Sequence, residues 1–321
     1  MIRKLVAFFG VVKSFLKKVF KRSFKPIILA VLVFSLIVGF GEKSPLLANQ
    51  SAEQTAASLI ADGKLLLERG RAEEAFEIWK KAEEIYQKID SEEGIKGIIG
   101  SQLNQGLALE AMGFYRRSCN LVLTAFSLEE KCEDLDLEKL DKVINAIAAN
   151  SEPFNWMGLQ SLGNRLRLLG ELEKSEIVLE AVLKIAPEKA LIYLHLGNTV
   201  RDLARLEKAR KGENLEFYIN KAVGYYNEAD LANSQLIGLQ ARLNRLSLLK
   251  DFEAGELRKI DLQIRDLFAN NEIPSRDLVY ALVNYAVTVK EIDKNKAIAL
   301  LEEAINQAEK LQNYIWFIQV N

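Results

Sequence analysis

Three stretches of this 321-residue chain carry small residues at one set of spacings. Gly63, Gly70, Ala75 and Ala82 lie seven, five and seven residues apart; so do Gly106, Gly113, Ser118 and Ala125, and Gly163, Gly170, Ser175 and Val182. The surrounding strings agree: ADGKLLLERGRAEEA, NQGLALEAMGFYRRS and SLGNRLRLLGELEKS. Gly197 follows Gly163 by 34 residues, and ARLEKA at 204–209 repeats GELEKS at 170–175. A glycine inside a helix costs about 1 kcal/mol relative to alanine. Its return at one register needs a compensating gain, and close approach of two helices supplies one. Apolar residues recur at spacings of three and four through most of 56–312, no run alternates with period two, and there are five prolines. The fold class is therefore all-α.

Gly63, Gly106, Gly163 and Gly197 are read as the points where the first helix of a pair touches the second. Ala75, Ser118 and Ser175 stand opposite them. Gly70, Gly113 and Gly170 are read as turns, because glycine tolerates the left-handed helix cap. This pattern resembles the tetratricopeptide repeat (TPR), a helix–turn–helix unit of 34 residues with small residues at its eighth, twentieth and twenty-seventh positions. The resemblance implies an α-solenoid over residues 50–313, a right-handed superhelix of antiparallel helix pairs. Units are placed near 56–89, 99–131, 156–189, 190–233, 234–270 and 278–312. The fourth carries an insertion, KGENLEF, before a helix INKAVGYYNEA that contains Ala222 and Ala229; the fifth is degenerate; the sixth retains Ala297 and Ala304. The acidic stretch CEDLDLEKLDKVINAIAAN (132–150) fits no unit and reads as an extra helix. GSQLNQGLALEAMGFYRRSCNLVL and LQSLGNRLRLLGELEKSEIVLEAVLKIAP resemble the N-terminal TPR region of cyanobacterial CHAT-domain proteins. In that family the repeats precede a caspase-like peptidase domain, whose catalytic dyad maps to no residue here.

The ends differ from this body. Residues 1–25 hold eight basic side chains and no acidic one. Setting them aside leaves 35 basic residues against 44 acidic ones, a balance near −9 that argues against nucleic-acid binding. Leu5, Phe8, Phe9, Val12, Phe15, Leu16, Val19 and Phe20 make one helical stripe with lysines opposite, suited to an anionic leaflet. The uncharged run PIILAVLVFSLIVGFG (26–41), with a linker to residue 49, reads as a signal or an anchor. Residues 1–41 are thus expected to contact a membrane, with the repeats on its extracytoplasmic side if the segment is retained, or secreted or periplasmic if it is cleaved. At the other end, KAIALLEEAINQAEKLQN (296–313) reads as a helix that YIWFIQVN (314–321) does not continue. Ala297, Leu300, Leu301, Ala304, Ile305 and Ala308 read as a face awaiting a further helix. That ending suggests a truncated member of the CHAT-type group; the alternative is a natural end whose Trp316 and Phe317 fold back as a cap.

No residue set reads as catalytic, metal-binding or cofactor-binding, and no small-molecule substrate is indicated. His195, the one histidine, sits in YLHLGN between two leucines and reads as packed or groove-lining. Cys119 and Cys132 lie thirteen apart, which is neither a CxxC pair nor a metal-ligand spacing, so Cys119 reads as a buried thiol. GIKGIIG (94–100) lacks the spacing of a phosphate loop. One constellation remains. Asn164 and Arg167 follow Gly163 by one and four positions, Asn198 and Arg201 follow Gly197 likewise, and Arg245 extends the row after Ala241 beside Arg242 and Asn244. The TPR resemblance places these positions on the concave groove. There they either hold a peptide backbone and a carboxylate, or bridge neighbouring repeats. The expected function is a non-enzymatic scaffold for protein or peptide partners. The alternative is the regulatory, substrate-recruiting half of a caspase-like protease whose catalytic domain is missing or separately encoded.

Overall fold

The computed structural model describes residues 45–231, 235–249, 254–270, 276–290 and 292–320. The chain divides into two compact units, residues 1–52 and 53–321. Of the first, only residues 45–52 are described. The basic and apolar segments read as a membrane address fall outside the described residues. Among the described residues no helix is long and apolar enough to cross a membrane.

The described residues are helical, in the order α1 (Pro45–Glu68), α2 (Ala72–Tyr86), α3 (Glu92–Ala111), α4 (Tyr115–Ala125), a 3-10 turn (Cys132–Asp134), α5 (Leu137–Ala148), α6 (Phe154–Leu168), α7 (Leu172–Ile185), α8 (Ala190–Arg210), α9 (Leu215–Asp230), α10 (Gln235–Leu246), α11 (Ala254–Asn270), α12 (Arg276–Val289) and α13 (Lys294–Val320). Sequence-adjacent helices pack as pairs, and each pair packs on the next: α4 meets α6, α7 meets α8, and α9 meets α10. Gly70, Gly113 and Gly170 take φ of +77°, +82° and +85°. At each turn the next residue's N–H reaches back five residues, as in Arg71 to the Leu66 carbonyl at 2.9 Å and Phe114 to Leu109 at 2.8 Å. These bonds satisfy carbonyls that the helix end would otherwise strand. At the fourth turn a lysine, Lys211, takes the left-handed position at φ +55°, and Gly212 makes the 2.9 Å bond back to Glu207.

Close approach between paired helices rests on the glycines inside them. A methyl group on Gly163 would lie 2.6 Å from Leu179 Cγ, and one on Gly197 would lie 2.5 Å from the Tyr226 ring. On Gly63 it would fall inside the Trp79 indole, which is fully buried and donates to the Ile60 carbonyl at 3.1 Å. On the second helix, Ser118 Oγ donates to the Gly106 carbonyl at 2.6 Å and Ser175 Oγ to the Gly163 carbonyl at 2.8 Å. The same seam receives the next pair. The residue two positions after each glycine, on the following first helix, packs on the small residue of the preceding second helix: Ala108 on Ala75, Arg165 on Ser118 at 2.5 Å, and Thr199 on Ser175 at 3.0 Å. Ala82, Ala125, Ala222 and Ala229 are buried on the second helices.

Several boundaries differ from the sequence reading. Helix α3 starts at Glu92 rather than near 99, because Ser91 caps it by accepting the Gly94 N–H at 3.2 Å. Helix α9 starts at Leu215, so LEF of the insertion is helical. Helix α13 does not stop at 313 but runs through Tyr314 to Val320. Its expected single apolar face is split: Ala297 and Ala304 are buried against their own pair, whereas Leu301 and Ile305 are exposed.

Helix α5 is the extra helix between the second and third pairs. Asp136 caps it, accepting Lys139 N–H at 2.8 Å, and Leu140, Val143, Ile144 and Ile147 bury one stripe against the core of α4, α6 and α7. Cys119 is not a free thiol. It is bonded to Cys132, joining α4 to the 3-10 turn that leads into α5, with both residues at 1% exposure or less. Asn120 Oδ1 accepts the Cys132 N–H at 2.8 Å on the same side. Closing a loop of about this length stabilises by about 3 kcal/mol. We expect Cys119→Ala with Cys132→Ala to lower the urea-derived unfolding free energy by about that amount; equal stability of the double variant and the oxidised parent would remove the staple from the account.

Candidate functional site

The candidate row lies on the first helices of consecutive pairs, and the structure joins it across pairs. Asn164 on α6 donates from Nδ2 to Glu110 Oε1 on α3 at 3.0 Å. Arg167 on α6 donates to Asp202 Oδ2 on α8 at 2.9 Å and reaches Asn164 Oδ1 at 3.4 Å. Asn198 Oδ1 on α8 accepts from Asn244 on α10 at 2.8 Å and from the Tyr226 hydroxyl on α9 at 2.9 Å. Arg245 donates to Asn227 Oδ1 at 2.6 Å, and Arg242 forks onto Asp230, with Nη2 to Oδ1 at 2.8 Å. Asn164, Arg167 and Arg201 are therefore joined to one another through Asp202, Asn198 on the same helix as Arg201 is held instead by Tyr226 and Asn244, and Arg245 leans toward α9.

The strip is unbalanced in charge. Asp202 receives three arginines: Arg167 at 2.9 Å, Arg205 at 3.1 Å and Arg201 at 3.6 Å. Glu110 faces Arg165 Nη2 at 3.6 Å. Four guanidinium groups thus share two carboxylates, within a body that is acidic as a whole. Nε of Arg167 and of Arg201 lies out of solvent without a hydrogen bond. Arg205 is the exposed member, with 63% of its side chain accessible. An anionic group arriving here meets donors already oriented by Asp202, the pre-organised setting in which arginine forks bind carboxylates.

Two features of this region escaped the sequence reading. Arg165 is 1% exposed, the one charged residue in the seam position that Ala108 and Thr199 fill elsewhere. Its Nε meets Ser118 and its Nη1 donates to the Ser161 carbonyl at 2.9 Å. Burial pulls its pKa down and Glu110 pushes it back up. The partners Glu110 and Asp202 were also missed, because they lie 54 and 35 residues from the groups they bind. Away from this row a concavity of about 510 Å³ lies between α1, α3 and Phe154, walled by Ile60, Tyr86 and Gly97 and rimmed by Glu53 and Lys96. Gly97 lets the Tyr86 ring come close, since a methyl group there would fall against it.

His195 borders the strip. Its Nδ1 is out of solvent with no hydrogen bond, and its carbonyl accepts from Thr199 Oγ1 at 3.0 Å. Desolvation first, then Arg167 and Arg165, lower its pKa to about 4. The ring is neutral near pH 7. Among the described residues no group of histidine, cysteine and carboxylate side chains could hold a metal ion.

No family profile matches the chain, and no curated protein matches it. Solved structures of similar course are TPR proteins. One is a Podosopora anserina protein described as a kinesin light chain with nearly identical TPR-like repeats, at 12% identity and TM-score 0.38 over 84% of this chain and 99% of that one. A point variant of that fungal protein matches at 12% identity and the same TM-score, over 82% and 98%. The TPR2AB domain of yeast Sti1, solved as a complex with pHSP90, matches at 16% identity and TM-score 0.33 over 81% and 93%. At these scores the fold rests on the chain's own helix pairs.

The histidine gives a pH dependence. An unfolded histidine titrates near 6.5, whereas folded His195 takes its proton only near 4. Its folded form is therefore penalised as pH falls from 6.5 toward 4, and the stability present above pH 6.5 is lost across that window. By pH 5 the loss is about 2 kcal/mol. Urea titrations at pH 7 and pH 5 should show the parent losing about that much more than His195→Gln; parallel losses would mean that the ring protonates freely in the fold.

Proposed function

We propose that this chain is a non-enzymatic TPR-type scaffold that binds an acidic peptide segment along the strip of Asn164, Arg167, Asn198 and Arg201. The observation that carries the reading is the shared carboxylate Asp202, which holds three arginines side by side with more positive charge than it cancels. Stacked helix pairs suit such a ligand because they extend one strip across several repeats. Asparagines in the strip can pair with a peptide backbone, as donor and acceptor together.

We also propose that the repeats work on the extracytoplasmic side of a membrane, delivered or held there by residues 1–41. The basic stripe and apolar run support this, and so does the Cys119–Cys132 bond, since such bonds persist in oxidising compartments and are rare in the cytosol. The strings at 100–123 and 159–187 support an origin in the TPR region of a CHAT-type protein. On that reading the scaffold recruits substrates for a caspase-like protease encoded elsewhere.

Binding of the full chain to an array of acidic and charge-neutral peptides tests the first proposal. Arg167→Ala with Arg201→Ala should weaken binding of the acidic peptides at least tenfold while far-ultraviolet circular dichroism stays unchanged. Equal binding by parent and variant would reduce the strip to a bridge between repeats.

A further inference from the structure

Helix α13 presents a stripe that nothing covers among the described residues. Ile298, Leu301 and Ile305 are 54%, 41% and 60% exposed, while Ala297, Ala304 and Gln307 on the flank of the same helix are buried against its own pair. At 100° per residue, spacings of four, three, four and four place Lys294, Ile298, Leu301, Ile305 and Glu309 on one face. The stripe thus reads, from its N-terminal end, as a cation, three apolar side chains and an anion. Lys294 and Glu309 are both exposed.

That order decides what fits. Laid antiparallel on itself about a point between Leu301 and Glu302, the stripe sets Ile298 against a second Ile305 and Lys294 against a second Glu309, with Leu301 and the exposed Glu302 of both copies meeting at the axis. Laid parallel in register, it sets lysine on lysine and glutamate on glutamate. A lipid surface with anionic headgroups would meet Glu302 and Glu309 beside the apolar residues. We propose that the occupant is a second copy of this chain, and that α13 pairs with its counterpart antiparallel about a two-fold axis. Such an isologous contact is self-complementary, with each residue of the stripe meeting its mate in both directions. The end charges fix direction and register, since rim ion pairs contribute more to specificity than to affinity. Three apolar side chains per copy make a small contact, so the dimer is a weak one.

Cysteine crosslinking of the purified full chain tests this, because it captures weak contacts and the native cysteines are already bonded to each other. The substitution Leu301→Cys places a thiol beside its mate at the axis. Ala299→Cys, exposed on another face of the same helix, is the control. Under copper–phenanthroline, Leu301→Cys should give at least five times the crosslinked dimer of Ala299→Cys on a non-reducing gel. Adding Lys294→Glu should cut that yield several-fold, and adding Glu309→Lys to the same chain should restore it, since both reversals occur on each copy. Unchanged circular dichroism and melting temperature check that each variant is folded, and sedimentation of the parent against Ile305→Lys reads association without any new cysteine. Equal yields from the two cysteine positions, with no change in sedimentation for Ile305→Lys, overturn the pairing. A yield that the charge reversals do not move, or that the double reversal does not restore, overturns the antiparallel arrangement.

Discussion

The stack depends on one contact, a serine hydroxyl seated on a glycine carbonyl. Ser175 on Gly163 and Ser118 on Gly106 hold the two helices of a pair close enough that a methyl group on the glycine has no room or little room. The same hydroxyl then receives a side chain from the next pair, Thr199 in one case and Arg165 in the other. Intra-pair and inter-pair packing therefore share atoms. A seam of this kind sets the helix spacing and the step between repeats together, which a greasy interface of large side chains would leave loose. In the first pair Ala75, Trp79 and Ala108 do the same without a hydroxyl, the indole covering Gly63 and donating to the Ile60 carbonyl instead.

The charged strip follows from that step. Because each first helix is set beside the next at a fixed register, Asn164 lies against Glu110, Arg167 against Asp202, and Asn198 against Asn244. Much of the strip's bonding is therefore internal, which keeps long side chains in place before any ligand arrives. What is left over is positive charge around Asp202. Buried Arg165 is part of the same arrangement. Removing Glu110 would leave it without its carboxylate, and losing one partner of a buried pair costs more than replacing both.

The sequence carried the parts of this fold that depend on local backbone and spacing. Left-handed turns at Gly70, Gly113 and Gly170 follow from a residue type, and the small residues of the seam follow from their period. Parts that depend on distant partners were not legible. The bonding of Cys119 to Cys132 needs their Cα atoms to come within about 7 Å; they lie 6.1 Å apart, and a separation of thirteen does not fix that distance. Glu110 and Asp202 gain their roles only when the pairs are stacked. Helix ends failed for a third reason: Ser91 starts α3 seven residues before the repeat pattern begins, and α13 continues past Asn313 because extending a helix costs far less than starting one. The apolar face expected on α13 divided because Ala297 and Leu301 lie on different sides of the line where the helix meets its own pair.

The glycine seam couples neighbouring pairs. Hydrogen exchange read segment by segment on the parent and on Gly163→Leu tests it most directly, since a side chain forced onto Leu179 costs about 1–3 kcal/mol of packing. The account predicts faster exchange in α6 and α7, and also in α8, which meets the same seam through Thr199, with α12 and α13 unchanged. Exchange that rises only in α6 and α7, or that does not rise at all, would contradict it.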